Sequence, residues 1–97
     1  MGVMTRMEIN GVDAVVARTL LQRMKGLIGY RDLPSGQGML IEKCNAIHTF
    51  FMKFPIDAVF FDRNGNVVKT VKHIKPWTFM VWGGWKAVSV LETKSGI

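Results

Sequence analysis

Cysteine and acidic residues are both scarce in this chain of 97 residues. A single cysteine, Cys44, excludes an internal disulfide framework and a cysteine-rich zinc module. Seven Asp and Glu against thirteen Lys and Arg leave a formal net charge of +6, which favours acidic partners such as nucleic acid or anionic lipid. No glycine-rich phosphate loop or nucleophile elbow is recognisable, so we expect no cofactor and no metal.

Long apolar runs are missing as well. The most apolar stretch, residues 77–85, is much shorter than the ~20 residues that a helix needs to cross a bilayer. The first residues contain no apolar segment followed by a small-residue cleavage site, so no secretory signal is predicted. We therefore expect a soluble, cytoplasmic protein with no membrane insertion.

Apolar content is sufficient for one core, since hydrophobic residues make up 48% of the chain. The length excludes two independent cores, and residues 1–97 are predicted to form one domain. Asn10 and Gly11 tolerate positive φ between two apolar segments, which predicts a β-hairpin. Thr19 and Gln22 have the spacing of a capping box and predict one helix near residues 19–28. Its apolar face would consist of Leu20, Met24, Leu27 and Ile28.

Short β-rich segments separated by turn signals fill the rest of the chain. The predicted strands are residues 38–42, 48–52, 57–62, 66–72, 77–82 and 86–92. Residues 58–61 are a continuous apolar run between Asp57 and Asp62, the pattern of a central strand covered on both faces. The predicted fold is mainly β (α+β), a β-sandwich or jelly-roll-like domain or a partly open barrel, with the helix packed outside.

Residues 44–57, with the sequence CNAIHTFFMKFPID, resemble the core signature of the DUF192 family of uncharacterised small bacterial and archaeal proteins. Supporting motifs follow in the expected order, with Gly38-Met39-Leu40 before this segment and Lys75-Pro76-Trp77 and Val90-Leu91-Glu92 after it. The resemblance covers about four fifths of the chain. It implies a single mainly β domain of the sandwich or jelly-roll kind, and it implies no reaction, because no activity is established for the family.

The C-terminal end of the sequence departs from that family. Members usually continue past the last motif with a short helical turn and another strand, whereas this sequence stops at Ile97. The resemblance therefore implies a domain that lacks the family's last strand. A missing strand would leave a sheet edge open, and an open edge predicts a homodimer.

Polar residues at predicted strand ends, together with one helix residue, form the candidate ligand-binding site. They are Arg23, His48, Thr49, Asp57, Trp77 and Glu92. An imidazole beside a carboxylate can exchange protons near neutral pH, and Arg23 would arrive from the helix. The plainer alternative is that these side chains only satisfy nearby backbone groups and salt bridges. We predict a non-enzymatic binding module for a small polar ligand or a protein partner.

Two other functions remain open from the sequence. A small hydrolase or lyase would use His48 and Asp57 as catalytic proton carriers. A single-stranded nucleic-acid binder would use the basic, aromatic residues 63–97, with Lys69, Lys72, Lys75 and Lys86 as the phosphate contacts. Cys44 and His48 are four residues apart, but two ligands do not make a stable zinc site.

Overall fold

The computed structural model describes residues 5–96, and it opens with the predicted hairpin. Strand β1 (Thr5–Ile9) pairs antiparallel with β2 (Val12–Ala17). Asn10 and Gly11 have φ angles of 50° and 81°, as a two-residue primed turn requires. The prediction of a hairpin at this turn is confirmed.

The helix is shorter than the sequence pattern indicates. Helix α1 spans Leu20–Lys25, and the predicted capping box between Thr19 and Gln22 is formed, with the Thr19 side chain accepting from the Gln22 N–H at 3.1 Å. Gly26 has a φ of 51°, which no regular helix contains, so the helix ends there and the prediction of residues 19–28 is wrong in its extent. Leu27 lies in the core, whereas the side chains of Leu20 and Met24 lie outside the described part.

Six strands form the principal sheet, in the order β1-β2-β3-β8-β5-β6. The further strands of the chain are β3 (Gln37–Glu42), β4 (Ala46–Ile47), β5 (Ile56–Phe61), β6 (Val67–Ile74), β7 (Val81–Trp82) and β8 (Ser89–Lys94). Strands β2 and β3 are parallel because α1 and its loop cross over between them, and the other neighbouring pairs are antiparallel. The fold is mainly β, as predicted.

Two predicted strands are wrong. Residues 48–52 contain no strand and include a turn at Phe50 and Phe51, and only Val81 and Trp82 of residues 77–82 are in a strand. Strands β4 and β7 pair in a separate two-stranded sheet, with Ala46 opposite Trp82. Both sheets are open, so the alternative of a barrel does not apply.

Apolar side chains cover both faces of the principal sheet. Phe60 and Val90 belong to the larger core cluster, which also contains Leu27 and therefore lies on the face that carries α1. Phe61 and Leu91, the next residue of each strand, belong to a second cluster on the opposite face. Strand β5 is thus covered on both sides, as its continuous apolar run predicts.

The edges of the principal sheet are β1 and β6, while β8 pairs with β3 on one side and β5 on the other. The end of the described chain therefore lies in the middle of the sheet, and any open edge belongs to β1 or β6. Within residues 5–96, no helix has the length and apolar character that a bilayer crossing requires.

Candidate functional site

A cleft of about 300 Å³ opens between the C-terminal end of α1 and the principal sheet. Its polar walls come from the helix, from β8 and from the turn around β4. The lining residues are Arg23, Lys25, Gly26, Leu27, Ile28, Ile41, Cys44, Ala46, Ile47, His48, Met52 and Glu92. Three of the six predicted site residues, Arg23, His48 and Glu92, meet here.

Glu92 lies at the base of this cleft. Its position in β8 pairs with Met39 on one side and Ala58 on the other, so its side chain shares the face of the larger core cluster. Its exposed fraction is only 3%, and a Cβ at Gly26 would lie in ordinary van der Waals contact with Glu92 Oε1, at 3.5 Å. Burial raises the pKa of Glu92 to about 8, which leaves the carboxyl largely protonated at neutral pH.

Arg23 brings a cation to the same cleft from α1. Its Nε atom is buried and has no hydrogen-bond partner among the described residues. A buried donor without a partner loses its hydration without compensation, and such groups are rare in folded proteins. Lys25 also lines the cleft, so the wall nearest the helix is positively charged.

Cys44 contributes a thiol that stays neutral. Its Sγ donates to the Ala46 carbonyl at 3.1 Å, and burial, followed by the charge of Glu92, raises the thiol pKa. A raised pKa is the opposite of what a nucleophilic cysteine needs. No group of three or more possible metal ligands is present among residues 5–96.

His48 lies at the mouth of the cleft with an exposed side chain. Its Nδ1 accepts a hydrogen bond from the Phe50 N–H at 3.2 Å, so a neutral imidazole carries its proton on Nε2. The imidazole also contacts the Phe50 ring, with centroids 5.2 Å apart. His48 therefore joins the cleft to the neighbouring aromatic residues.

Asp57 is separated from this group by the sheet itself. It is opposite Thr93, whereas Ala58 is opposite Glu92, so the side chains of Asp57 and Glu92 point to opposite faces. The Asp57 Oδ1 accepts from the His73 N–H at 2.9 Å, and its other oxygen lies 3.6 Å from the Lys72 ammonium. The structure does not bring Asp57 and His48 into one cavity.

Thr49 and Trp77 also lie outside the cleft. Thr49 is fully buried, and its hydroxyl donates to the Lys75 carbonyl at 2.6 Å and accepts from the Thr78 N–H at 2.8 Å. This hydroxyl ties the turn after β4 to the turn after β6. Trp77 is exposed and contacts the Phe50 and Phe51 rings.

Sequence reasoning missed the role of Gly26 and the apolar walls of the cleft. The sequence pattern places Gly26 inside the predicted helix of residues 19–28, yet Gly26 ends α1 and lies near Glu92. Ile28, Ile47 and Met52 look like ordinary core residues in the sequence. No sequence signal distinguishes a cleft wall from a core position, because both require the same apolar side chains.

Solved structures with the same fold exist for two bacterial proteins. One is a protein of unknown function from Novosphingobium aromaticivorans, with 16% identity and a TM-score of 0.78 over 98% of this chain and 83% of that one. The other is described as a candidate transcription regulator from Sinorhizobium meliloti, with 19% identity and a TM-score of 0.80 over 94% of this chain and 78% of that one.

The sequence itself gives the family. No curated protein matches the chain significantly. The model of the family DUF192, described as "Uncharacterized ACR", matches residues 3–97. The chain therefore belongs to the DUF192 family, whose function is uncharacterised, as the sequence predicted.

Proposed function

We propose that this protein is a binding module for a small carboxylate, which it holds in the cleft between Arg23 and Glu92. The observation that supports this proposal most directly is the orphan Nε of Arg23, a buried donor that lines the same cleft as a buried carboxyl. A ligand oxygen accepting from that donor would remove the cost of leaving it unpaired. Arg binds carboxylates well because its planar guanidinium matches their geometry.

The charge of the cleft favours an anion over a cation. Arg23 and Lys25 are positive, Glu92 is the only acidic residue in the lining, and its raised pKa keeps it mostly protonated at neutral pH. A protonated carboxyl is also a hydrogen-bond donor. One bound carboxylate can therefore accept from both Arg23 and Glu92.

The remaining walls select for a short apolar group beyond the carboxylate. Leu27, Ile41 and Met52 line the cleft and are buried. A volume of about 300 Å³ lies at the small end of the ~300 to 1,000 Å³ found for ligand pockets. A monocarboxylate with a short hydrocarbon chain fits both the size and the lining.

Binding without catalysis is the simpler function for these residues. Burial raises the pKa of the Cys44 thiol, and the alternative of a hydrolase would need His48 and Asp57 to act together from different cavities. Thr49 belongs to this proposal only as a support for the turn that carries His48. Trp77 and Asp57 have no part in it.

Calorimetric titration with hexanoate tests the proposal, with hexanamide as the uncharged ligand of the same length. We expect saturable binding of hexanoate near pH 7 and binding of hexanamide that is at least about tenfold weaker. The Arg23→Met variant keeps the apolar stem and should lose hexanoate binding. Arg31→Met is the matched control, because Arg31 is an exposed arginine outside the cleft lining and its replacement should change the affinity only slightly.

The Glu92→Gln variant separates the two parts of the site. An amide also donates, so this variant should retain hexanoate binding near pH 7. In the unmodified protein the affinity should fall above about pH 8 as Glu92 ionises and repels the ligand. Equal affinities for hexanoate and hexanamide, or unchanged binding by Arg23→Met, would remove the proposal.

A further inference from the structure

Six aromatic side chains outside the cleft form a second feature, which we call the aromatic surface. They are Phe50, Phe51, Trp77, Phe79, Trp82 and Trp85. Trp77, Phe79 and Trp85 are 60%, 73% and 87% exposed. Isolated exposed apolar residues are ordinary, but large rings concentrated in this way mark a contact surface.

The rings fall into two groups joined by the segment of residues 77–85. In the first group, Phe50 and Phe51 contact Trp77 with ring centroids 5.9 and 4.7 Å apart. In the second, Trp82 and Trp85 meet at 5.0 Å with their planes at 84°. None of these contacts is a parallel stack, and the high exposure of Trp77 and Trp85 leaves much of each ring accessible to a further planar partner.

Cations accompany both groups of rings. Lys75 and Lys53 are close in sequence to Trp77 and Phe51, and Lys69 donates from its Nζ to the Trp82 carbonyl at 2.7 Å. Arg63 and Lys86 line a cleft of about 480 Å³ together with Trp85. Three other residues, Asp62, Asn64 and Val88, complete that lining.

Negative charge is almost absent from this part of the chain. Asp62 is the one carboxylate in the second cleft, and it is held by the Asn64 and Asn66 N–H groups, each at 2.9 Å. From residue 63 onward the only acidic residue is Glu92, which is buried in the other cleft. Lys72 and Lys94 do not belong to the aromatic surface, because they pair with Asp57 and Asp32.

We propose that the aromatic surface binds single-stranded nucleic acid, with phosphates on its cations and bases stacked on Trp77 and Trp85. A strand uses both components, whereas an acidic peptide would satisfy the cations and leave the ring faces open. A second copy of this chain would place two surfaces of the same positive charge together. Exposed rings with flanking cations are the means by which proteins bind single strands without sequence preference.

Fluorescence anisotropy with a labelled oligothymidylate of about twelve nucleotides tests this inference. The comparison strand has the same length and charge but consists of abasic sites. At low salt we expect the oligothymidylate to bind at least about fivefold more tightly, because only its bases can stack on the rings. Affinity for both strands should fall steeply with salt.

Substitutions of the exposed tryptophans test whether the rings bind the oligothymidylate. Trp77→Ala and Trp85→Ala should each weaken binding of the oligothymidylate by about fivefold or more. The affinity for the abasic strand should not change. Met7→Ala is the matched control, since Met7 is an exposed apolar residue of the edge strand β1 and is not part of the aromatic surface. Circular dichroism checks that each variant folds, and Arg23→Met should bind the oligothymidylate normally, which keeps this test separate from the carboxylate cleft.

Three results would overturn the inference. Equal affinity for the two strands would mean that charge alone attracts nucleic acid. Tighter binding of a polyglutamate peptide than of the oligothymidylate would assign the surface to an acidic protein partner. Concentration-dependent dimerisation that Trp77→Ala or Trp85→Ala abolishes, without oligonucleotide binding, would assign it to a second copy.

Discussion

Glu92 is a buried carboxyl that lines the cleft and whose burial lowers the stability of the fold. A carboxyl at 3% exposure in an apolar cluster is more costly than an apolar side chain of the same size, because its ionised form loses its hydration. The sequence supplies Glu92 in the middle of β8, between Leu91 and Thr93, where a residue chosen only for packing would be apolar. Glu92 lines the same cleft as Arg23, which is consistent with a binding role.

Replacement of Glu92 by Gln should change how stability depends on pH. The pKa of Glu92 is about 8 in the folded protein, above its ordinary value of 4.5. Below about pH 4.5 the carboxyl is protonated in both the folded and the unfolded chain, so its burial carries no ionisation cost there. Stability then falls between about pH 4.5 and 8, where the unfolded chain is ionised and the folded chain is not. The Gln variant lacks this loss, so by pH 9 it should be more stable than the unmodified protein by at most about 5 kcal/mol.

Urea denaturation of both proteins at several pH values measures this difference. Glu42→Gln is the control, because Glu42 is a more exposed glutamate paired with Arg18 and its replacement should matter little at any pH. Parallel stability curves for the unmodified protein and Glu92→Gln would contradict the buried, protonated carboxyl.

The Cys44 thiol gives a second prediction at the residue scale. Because burial raises its pKa, the reactive thiolate is scarce and iodoacetamide should modify native Cys44 several times more slowly than the same thiol in urea. Hexanoate should slow the reaction further if it occupies the cleft that Cys44 lines. Mass spectrometry follows the rate, and native modification as fast as in urea would show that burial neither shields the thiol nor raises its pKa.

At the scale of elements, α1 is too short to be stable alone and depends on its cap to hold Arg23 over the cleft. Thr19→Ala removes the acceptor for the Gln22 N–H and should lower the free energy of unfolding by about 1 kcal/mol. It should also weaken hexanoate binding through the disturbed position of Arg23. Thr19→Ser retains a capping hydroxyl and should restore both properties, and a Ser variant as impaired as the Ala variant would contradict this role of the cap.

Gly83 connects the small sheet to the core. It follows β7, its N–H donates to the Asn45 carbonyl at 2.7 Å, and a Cβ there would overlap the ring of the buried Phe60. Gly83→Ala should therefore destabilise the protein by about 1 to 3 kcal/mol in thermal or urea denaturation. Gly96→Ala is the control, because a Cβ at Gly96 meets nothing within 4 Å. Equal stability of the two variants would show that the small sheet can move away from Phe60.

At the scale of the whole molecule, the sequence predicted those elements whose turn residues or apolar pattern lie within the element itself. Asn10 and Gly11 specify the hairpin, and the apolar run in β5 specifies a strand buried on both faces. The segments 48–52 and 77–82 contain the same apolar residue types, yet they are mostly irregular, with short turns. Phe51 and Trp77 adopt positive φ there, and backbone hydrogen bonds to the Thr49 carbonyl from the Met52 and Trp77 N–H groups hold both turns.

The candidate site was predictable only in part, because the sequence shows the residue types but not the strand register. Arg23, His48 and Glu92 could be grouped from the sequence, but the exclusion of Asp57 depends on strand register. Neighbouring residues of a strand point to opposite faces of the sheet. Because Ala58 pairs with Glu92 and Asp57 pairs with Thr93, Glu92 lies on the face of the cleft that Arg23 lines and Asp57 lies on the other face. Register over such distances in the chain is not encoded in any local pattern.

The occupancy of the cleft is tested most directly by the side-chain Nε–H resonance of Arg23 in an ¹⁵N NMR titration with hexanoate. We predict a saturable downfield shift of this resonance near pH 7, because the buried Nε–H gains its first acceptor. Hexanamide should produce a much smaller shift. An Arg23 Nε–H resonance that hexanoate leaves unchanged, at concentrations that saturate any binding elsewhere, would contradict the central claim that this cleft binds a carboxylate.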